Sequence, residues 1–295
     1  MPAHSVHGAP SYQGLTLAGM THSEWLRSSW DGRGLVLVLT GAGISAESGV
    51  PTFRGEEGYW RIGSQNYFPE QLATRAAFED MPDEIWGWYL YRRSVCRAAA
   101  PNPGHLALAR LERELGERYL LVTQNVDGLH LRAGSTLART YQIHGNIDYM
   151  RALHDRDGQI FPLPEALGVS WERGRAIGPR ERQLLVSPLD GTPARPHVLW
   201  FDESYDEARF RFHSALSALE HAGLVIVVGT SGATNLPTML VEGAYRRRIP
   251  LLVINRDPSP FSELAERSAR GLFLQDAAGE VLPELVDALA LAHPL

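Results

Sequence analysis

Three polar side chains that could carry out chemistry follow predicted buried strands. Asn125 and Asp127 come after the apolar run at residues 119–123, and His144 comes after residues 140–143. A histidine exchanges a proton near neutral pH and can therefore serve as a general base. An amide and a carboxylate placed together could bind a carboxamide. The structural alternatives are an Asx turn for the Asn–Asp pair and a hydrogen-bonded structural role for the histidine, so the pattern alone leaves both interpretations open.

A glycine-rich turn, Gly41-Ala42-Gly43, directly follows the apolar run at residues 35–40. In such a turn between a strand and a helix, backbone N–H groups can approach a phosphate, and the helix dipole adds to the attraction. The simpler explanation is a tight turn that needs two glycines. Taken alone, the turn is a weak indication of nucleotide binding.

The scaffold that must position these residues has the pattern of an α/β protein. Amphipathic stretches with helical spacing alternate with short apolar runs typical of strands buried on both faces, at residues 35–40, 119–123, 224–228 and 251–254. Strands that alternate with helices predict a Rossmann-type, mostly parallel sheet. Ligands bind at the carboxyl ends of the strands in such sheets, which is where the candidate residues lie.

Two stretches interrupt this alternation. Residues 58–102 are rich in Trp, Tyr and Arg without a strand-like run, which predicts inserted helices, and residues 147–195 are punctuated by Gly and Pro, which predicts an irregular module. We expect these stretches to form one smaller domain. The Rossmann domain would then comprise three segments, and an N-terminal extension would precede it; these lie at residues 23–57, 103–146, 196–295 and 1–22.

Composition excludes several classes of function. The formal net charge of −6 argues against broad nucleic-acid binding, which needs a basic face. No apolar run reaches the 18 or so residues of a membrane helix, and no signal-peptide core is seen, so we expect a cytoplasmic protein. A single cysteine, Cys96, excludes an internal disulfide and a cysteine-based zinc cluster.

Six ordered motifs resemble those of the sirtuins, the NAD-dependent protein deacylases. They extend from about residue 25 to the C-terminus and stand at residues 41–55, 123–130, 144–146, 195–203, 229–231 and 254–256. The resemblance implies NAD as co-substrate and an acylated-lysine protein or peptide as substrate, with neither nucleic acid nor membrane as partner. It also implies that the acyl oxygen attacks the anomeric carbon of the ribose as nicotinamide leaves.

The resemblance assigns roles to particular residues. His144 is implied as the base that accepts a ribose hydroxyl proton, with Asn125 and Asp127 completing the catalytic set. Phe53 would shield the reactive sugar carbon, and Arg54 would order the loop around the pyrophosphate. The full set implied to bind NAD is Gly41, Ala42, Gly43, Ile44, Glu47, Phe53, Arg54, Gln124, Asn125, Asp127, His144, Gly229, Thr230, Ser231, Asn255, Arg256, Asp276 and Ala277. The residues implied to contact the substrate peptide are Val198, Trp200 and Phe201.

The helical insertion carries an indication of the acyl group. Tyr89 and Arg92 are three residues apart and would share a helix face. The pair matches the Tyr-x-x-Arg of the sirtuin subgroup that removes succinyl and malonyl groups, and a guanidinium binds a carboxylate through two hydrogen bonds. The alternative is a surface arginine beside a core aromatic residue.

The second insertion departs from the family. Sirtuins usually hold a structural zinc with four cysteines after the His-Gly motif, but residues 147–195 contain none. His154, Asp155 and Asp157 fit a turn better than a metal site, so we predict no zinc. Apolar packing would hold the module instead, through Phe161, Leu163, Leu167, Val169, Trp171, Ile177, Leu184 and Leu185.

Asp202 is a second departure, since the family usually has glycine there. We expect its carboxylate to crowd or repel an incoming peptide or acyl chain. The leading hypothesis is a lysine deacylase, with acidic acyl groups as a possible preference. The alternatives are an NAD glycohydrolase or ADP-ribosyltransferase on the same scaffold, or an inactive NAD-sensing module.

Overall fold

A computed structural model describes residues 20–51, 60–62, 65–154 and 158–292. The strands are β1 (Leu35–Thr40), β2 (Trp60–Ile62), β3 (Gln65–Tyr67), β4 (Tyr119–Thr123), β5 (Thr140–Gln142), β6 (Gly145–Ala152), β7 (Phe161–Pro162), β8 (Ala194–Val198), β9 (Ala222–Val228), β10 (Leu251–Ile254) and β11 (Gly271–Leu274).

The α-helices are α1 (His22–Ser29), α2 (Gly43–Ala46), α3 (Pro69–Leu72), α4 (Arg75–Asp80), α5 (Pro82–Ala98), α6 (Pro103–Leu115), α7 (Leu129–Arg132), α8 (Pro179–Leu184), α9 (Glu207–Phe210), α10 (Phe212–Ala218), α11 (Asn235–Arg246), α12 (Pro260–Arg267) and α13 (Ala278–Ala292). Across the described residues, every helix is too short or too polar to cross a membrane.

Six strands form the predicted parallel sheet, in the order β11-β10-β9-β1-β4-β5. The four apolar runs are confirmed as β1, β4, β9 and β10. The chain runs outward from β1 through β4 to β5, and then returns to the other side of β1 at β9. This reversal leaves a crevice between the carboxyl ends of β1 and β9, where open parallel sheets bind ligands.

Both faces of this sheet are buried. In β1, Val36 and Val38 pack into a cluster with α1, α6 and α13, whereas Leu37 and Leu39 pack into another with α10, α11 and α12. Alternate residues of a strand point to opposite faces, so a strand covered on both sides must be apolar throughout. The predicted α/β class with a Rossmann-type sheet is confirmed.

The two insertions contain more strand than we expected. The prediction of helices alone at residues 58–102 is wrong, since β2 and β3 form an antiparallel hairpin before α3, α4 and α5. The prediction of an irregular module at residues 147–195 is wrong at both ends, where β6 pairs antiparallel with β7 and β8. β2, β3 and β7 have two or three residues and are too short for hydrophobic periodicity to detect. The expected boundaries after residues 146 and 195 fall inside β6 and β8.

An aromatic core joins the two insertions. Trp86, Trp88 and Tyr89 of α5 lie in one buried cluster with Trp171 and Trp200. Of the apolar residues expected to hold the module, most belong to this cluster: Phe161, Leu163, Leu167, Trp171, Ile177, Leu184 and Leu185.

Val169 is the exception in this set. Its side chain is 59% exposed, so the prediction that it packs inside is wrong. It follows Gly168, which has a φ of 69° and turns the chain at the end of a short helical turn. Hydrophobic character alone does not determine which way a loop side chain points.

Candidate active site

The glycine-rich turn lies at the crevice between β1 and β9. The N–H of Gly43 donates to the Gly229 carbonyl at 2.7 Å, and the N–H of Gly41 donates to the Val228 carbonyl at 3.0 Å. A Cβ added to Gly43 would lie 2.6 Å from the Gly229 Cα, and one added to Gly41 would lie 2.7 Å from the Thr230 Cβ. Two backbone segments therefore meet here at a distance that requires glycine.

The neighbours of this turn differ in what they expose. Ala42 is partly buried, whereas the Ile44 side chain is fully buried in the core beneath the sheet, so Ile44 offers its backbone alone to a ligand. Glu47 accepts hydrogen bonds from the N–H of Gly279, at 3.1 Å to Oε2, near the start of α13. Its carboxylate thus joins the turn after β1 to the last helix.

Asn125 and Asp127 lie side by side after β4, and Ser45 connects them. The Asn125 amide donates to the Gly41 carbonyl at 3.0 Å and to Ser45 Oγ at 3.1 Å. The Ser45 hydroxyl in turn donates to Asp127 Oδ2 at 2.7 Å. The other oxygen of Asp127 accepts the N–H of Leu129 at 2.8 Å. This is the Asx turn that we weighed as the structural alternative, and it fixes the carboxylate beside the amide.

Burial raises the pKa of Asp127 above its ordinary value. The Leu129 N–H, the Ser45 hydroxyl and the arginines Arg132 and Arg92 lower it in part. A polar pair that is almost fully buried at a sheet edge is costly unless it is hydrogen-bonded. Its placement is therefore more typical of a binding site than of an ordinary surface turn.

His144 follows β5 and lies next to the Asn–Asp cluster through Gln124. Its Nδ1 is 3.0 Å from the Gln124 carbonyl oxygen, and its Nε2 is 2.8 Å from the Tyr205 hydroxyl. Because a carbonyl can only accept, Nδ1 carries the hydrogen and Nε2 is the acceptor. Burial lowers the pKa of His144 to about 4, so the imidazole is neutral near pH 7. A neutral imidazole with an acceptor nitrogen is the form that a general base requires.

Gln124 also joins β4 to the turn after β9. Its amide nitrogen donates to Thr230 Oγ1 at 2.9 Å, and its amide oxygen accepts from Thr234 Oγ1 at 2.8 Å. Thr230 is buried, while its neighbour Ser231 is exposed. The two strand ends that flank β1 are thus bonded through side chains.

The remaining residues implied to bind NAD lie along the same edge, after β10 and β11. Asn255 donates to the Asp257 carbonyl at 2.9 Å, and the Arg256 carbonyl accepts from Gln275 Nε2 at 3.1 Å. Asp276 accepts the N–H of Ala277 at 2.7 Å. Arg256 and Asp276 are exposed and could reach a ligand lying across the edge. Phe53 and Arg54 lie outside the described residues.

The residues implied to contact substrate divide between core and surface. Trp200 is buried, and its indole N–H donates to the Tyr89 hydroxyl at 3.0 Å. Val198 is also buried and pairs with Gly145 in the antiparallel sheet, whereas Phe201 is 58% exposed. Phe201 is therefore the member of this set that presents a side chain to solvent.

Arg92 is partly buried on α5, with its guanidinium carbon 5.3 Å from the centre of the Trp88 ring. Burial lowers the pKa of Arg92, and electrostatic interactions with Cys96, Tyr89 and Asp127 raise it. As the structural alternative expected, Arg92 lies beside a core aromatic residue, although its side chain is partly buried and not on the open surface. Arg92 lies within electrostatic reach of Asp127.

The Asp202 carboxylate is bound at the start of a helix. It accepts the N–H groups of Arg75 at 2.8 Å and of Ala76 at 3.2 Å, at the start of α4. This contact gives Asp202 a structural role, because the first N–H groups of a helix lack intrahelical partners and attract a carboxylate. That Asp202 crowds an incoming chain stays a prediction.

Metal-binding side chains do not gather in the described part of the molecule. No group of three histidine, cysteine, aspartate or glutamate residues there is arranged to hold a metal ion. His154 is exposed in a turn, and Asp155 and Asp157 lie outside the described residues. Cys96 is buried. The absence of zinc stays a prediction.

Ser45, Tyr205 and Thr234 belong to the site, although the sequence did not single them out as site residues. Ser45 lies inside the glycine-rich motif, so its place near the turn could have been anticipated. Tyr205 and Thr234 occur in loops with no periodicity or motif that would place them against His144 and Gln124. Their contribution depends on how the loops after β8 and β9 converge.

The donor set suits a dinucleotide. Backbone groups at the glycine turn, an amide–carboxylate pair, a neutral histidine and an amide after β10 follow one another along a single sheet edge. This combination would hold a carboxamide at one end, a ribose hydroxyl near the histidine, and the second nucleoside beyond the crevice.

Comparison with known proteins agrees with this arrangement. Residues 41–235 match the model of the Sir2 family. The chain is 41% identical over 251 residues to a Leptospira interrogans protein named NAD-dependent protein deacylase, covering 85% of this chain and 91% of that protein. A Thermus thermophilus protein of the same name is 41% identical over 238 residues, covering 80% of this chain and 84% of the other.

Solved structures extend the similarity to the fold. A Sir2 homologue in complex with NAD has a TM-score of 0.74 and 31% identity, covering 96% of this chain and 97% of that chain. A mutant Sir2 homologue in complex with 2′-O-acetyl ADP-ribose has a TM-score of 0.73 and 33% identity, covering 92% and 98%. The chain therefore belongs to the Sir2 family of enzymes.

Proposed function

We propose that this enzyme is an NAD-dependent protein-lysine deacylase that passes an acyl group from lysine to the ADP-ribose part of NAD and releases nicotinamide. The observation that carries the proposal is the state of His144, whose Nε2 is an acceptor on a neutral ring beside the Asn125–Asp127 pair. The names of relatives 41% identical to this chain support the same reaction.

NAD supplies the nicotinamide–ribose bond that breaks and the ribose that receives the acyl group. Asn125 and Asp127 bind the nicotinamide carboxamide. The Ser45 hydroxyl is hydrogen-bonded to both side chains and keeps them next to each other. His144 takes the proton of a ribose hydroxyl at Nε2, while the Gln124 carbonyl keeps its ring oriented through Nδ1. The related structure that contains 2′-O-acetyl ADP-ribose supports a ribose hydroxyl as the acyl acceptor.

We further infer a preference for acyl groups that end in a carboxylate, such as succinyl or malonyl. Arg92 lies partly buried next to the aromatic cluster and within electrostatic reach of Asp127, so it supplies positive charge near the site. Burial raises the pKa of Tyr89 and keeps its phenol protonated. The phenol accepts from Trp200 and retains a hydrogen to donate. Guanidinium and phenol together suit a carboxylate.

An NAD glycohydrolase or ADP-ribosyltransferase is the alternative, since either would use the same nicotinamide site. The argument for it rests on a substrate groove altered by the loss of the zinc-binding cysteines and by Asp202. Because the Asp202 carboxylate accepts the first N–H groups of α4, Asp202 has a structural role that does not require an altered groove. An inactive sensor would not need a base in its neutral form.

Nicotinamide release separates these functions. The protein is incubated with NAD alone and with acetyl-, succinyl- and malonyl-lysine peptides of one sequence. Release that depends on peptide supports a deacylase, and release without peptide supports the glycohydrolase. NAD binding without release supports the sensor. If Arg92→Met slowed the succinyl and acetyl peptides equally, the acidic preference would be rejected.

A further inference from the structure

Tyr205 lies against the proposed base. It is partly buried in the loop between β8 and α9, and its hydroxyl is 2.8 Å from His144 Nε2. Because the Gln124 carbonyl takes the Nδ1 hydrogen, Nε2 has a lone pair to offer and the phenol must be the donor. The nitrogen that would receive the ribose proton is thus already hydrogen-bonded within the protein.

The surroundings of Tyr205 hold its ring but leave its hydroxyl a second partner. The ring stacks on Phe212, with centroids 5.9 Å apart and planes 24° apart, and it lies 5.8 Å from the His144 ring. The Thr234 hydroxyl lies close enough to the Tyr205 hydroxyl to influence its pKa, and it donates its own hydrogen to Gln124. The Thr234 oxygen can therefore accept the phenol hydrogen when that hydrogen turns away from His144.

We propose that Tyr205 is a positioning residue that occupies the acceptor nitrogen of His144 and yields it to a ribose hydroxyl when NAD binds. This inference rests on the proposed function, in which His144 is the base. No covalent step is involved, and Tyr205 keeps its proton throughout. In the absence of NAD, the Tyr205 hydroxyl donates a hydrogen bond to His144 Nε2. This bond keeps the imidazole ring oriented toward the site.

The charges around the pair agree with this role. Burial raises the pKa of Tyr205 to about 12, so the phenol remains a donor over the working pH range. Besides burial, the groups that set the two pKa values are the Gln124 carbonyl and the Thr234 hydroxyl, and both are uncharged. Phe212, the other ring packed against Tyr205, does not ionise.

Tyr205→Phe tests the contact, since it keeps the stacked ring and removes the hydroxyl. A hydrogen bond of this kind contributes roughly 0.5–1.5 kcal/mol net, which corresponds to a change of about 2- to 10-fold in an equilibrium constant. NAD no longer has to displace the phenol in the variant, so we expect NAD to bind about 2- to 10-fold more tightly. The Tyr205 hydroxyl stabilises the neutral form of His144, so its removal should raise the pKa of His144. We therefore also expect the acid limb of kcat/KM for NAD to move to higher pH.

The matched control is Tyr245→Phe near the far end of α11, about 15 Å along the helix from Thr234. Both variants and the parent protein are labelled with ¹⁵N-histidine, and His144 is assigned by comparison with His144→Ala. At pH 7.5 without NAD, only Tyr205→Phe should move the Nε2 signal toward that of an unprotonated nitrogen without a donor. NAD is then titrated into each sample to obtain Kd.

An Nε2 signal that is unchanged in Tyr205→Phe, or NAD binding that is unchanged or weaker, would overturn the proposal. Neither readout requires turnover. If the parent protein releases no nicotinamide with any peptide, the proposed function fails while the spectra still report on the contact. The two failures are therefore distinguishable.

Discussion

The carboxyl edge of the parallel sheet and the module at residues 145–198 are stabilised in different ways. At the sheet edge, Asn125, Asp127 and His144 sit where strands end, and short hydrogen bonds through Ser45 and Gln124 fix them. The module depends on a shared aromatic core with α5 and on buried charge pairs. Substitutions at the sheet edge should therefore change activity, whereas substitutions in the module should change stability.

The largest effect should come from the sheet edge. His144→Ala removes the proposed base, and general-base catalysis contributes about 10²- to 10⁴-fold. We expect peptide-dependent nicotinamide release to fall by about that factor, measured at saturating NAD. His154→Ala is the matched control, because that histidine is exposed within the module. Deacylation by His144→Ala at more than a tenth of the parent rate would remove His144 from the mechanism.

Trp171→Ala should have the largest effect on the module. Trp171 is buried in the aromatic core, and removal of a buried tryptophan costs about 3–5 kcal/mol. We expect the free energy of unfolding in urea to fall by that amount. Val169→Ala, two residues away and exposed, should change it by less than about 0.5 kcal/mol.

The same module offers a test of the zinc prediction. We expect dialysis against EDTA to leave the melting temperature and nicotinamide release unchanged, because we predict that apolar packing alone holds the module. Metal analysis of the purified protein should find no stoichiometric zinc. A stoichiometric metal whose removal lowers the melting temperature would show that the module is held as in its zinc-binding relatives.

Acid should weaken both regions together. Burial lowers the pKa of His105 and His144 to about 4, of His197 to about 3, and of His130 well below its ordinary value. The unfolded chain binds these protons near pH 6.5, so stability is fully present above that pH and is lost as pH falls towards 4. The raised pKa of Asp127 has the opposite effect on stability, because the folded protein binds that one proton more readily than the unfolded chain.

Urea unfolding at pH 7.5, 6.0 and 5.0 measures this slope above the range in which most carboxylates titrate. We expect a small fall in the free energy of unfolding between pH 7.5 and 6.0 and a larger fall between pH 6.0 and 5.0. A free energy that does not vary over this range would show that these histidines are not buried in their neutral form.

A more selective effect is expected at Arg92. Arg92→Met removes a charged donor, and hydrogen bonds to charged groups contribute about 1.5–3 kcal/mol, or roughly 10- to 100-fold. We expect kcat/KM for a succinyl peptide to fall by that factor and that for an acetyl peptide to change little. Arg97→Met on the same helix is the control, since Arg97 is exposed and pairs with Asp148.

The smallest effect concerns the contact between α4 and the loop after β8. Asp202→Ala removes the carboxylate that accepts from Arg75 and Ala76, and loss of a helix cap costs about 0.5–2 kcal/mol. Asp80→Ala at the other end of α4 should not destabilise, because an acidic residue there opposes the helix dipole. Unfolding in urea compares the two. A faster deacylation by Asp202→Ala, with stability unchanged, would support the prediction that Asp202 obstructs the substrate.

Much of the sheet edge could be predicted, because strands buried on both faces leave continuous apolar runs and their ends carry the motifs. The hairpin of β2 and β3 could not, since three-residue strands carry no measurable period. The helix contact of Asp202 could not be predicted, because its N–H partners lie 126 and 127 residues away in sequence. Tyr205 was missed for the same reason, since it reaches His144 across 61 residues.

Nicotinamide release with and without an acyl-lysine peptide tests the central claim most directly. With NAD and a succinyl-lysine peptide, we expect nicotinamide release to rise well above the rate with NAD alone, in step with the appearance of the deacylated peptide and O-acyl ADP-ribose. Equal release with and without peptide, and no acylated ADP-ribose, would contradict deacylation and indicate an enzyme that transfers ADP-ribose to water.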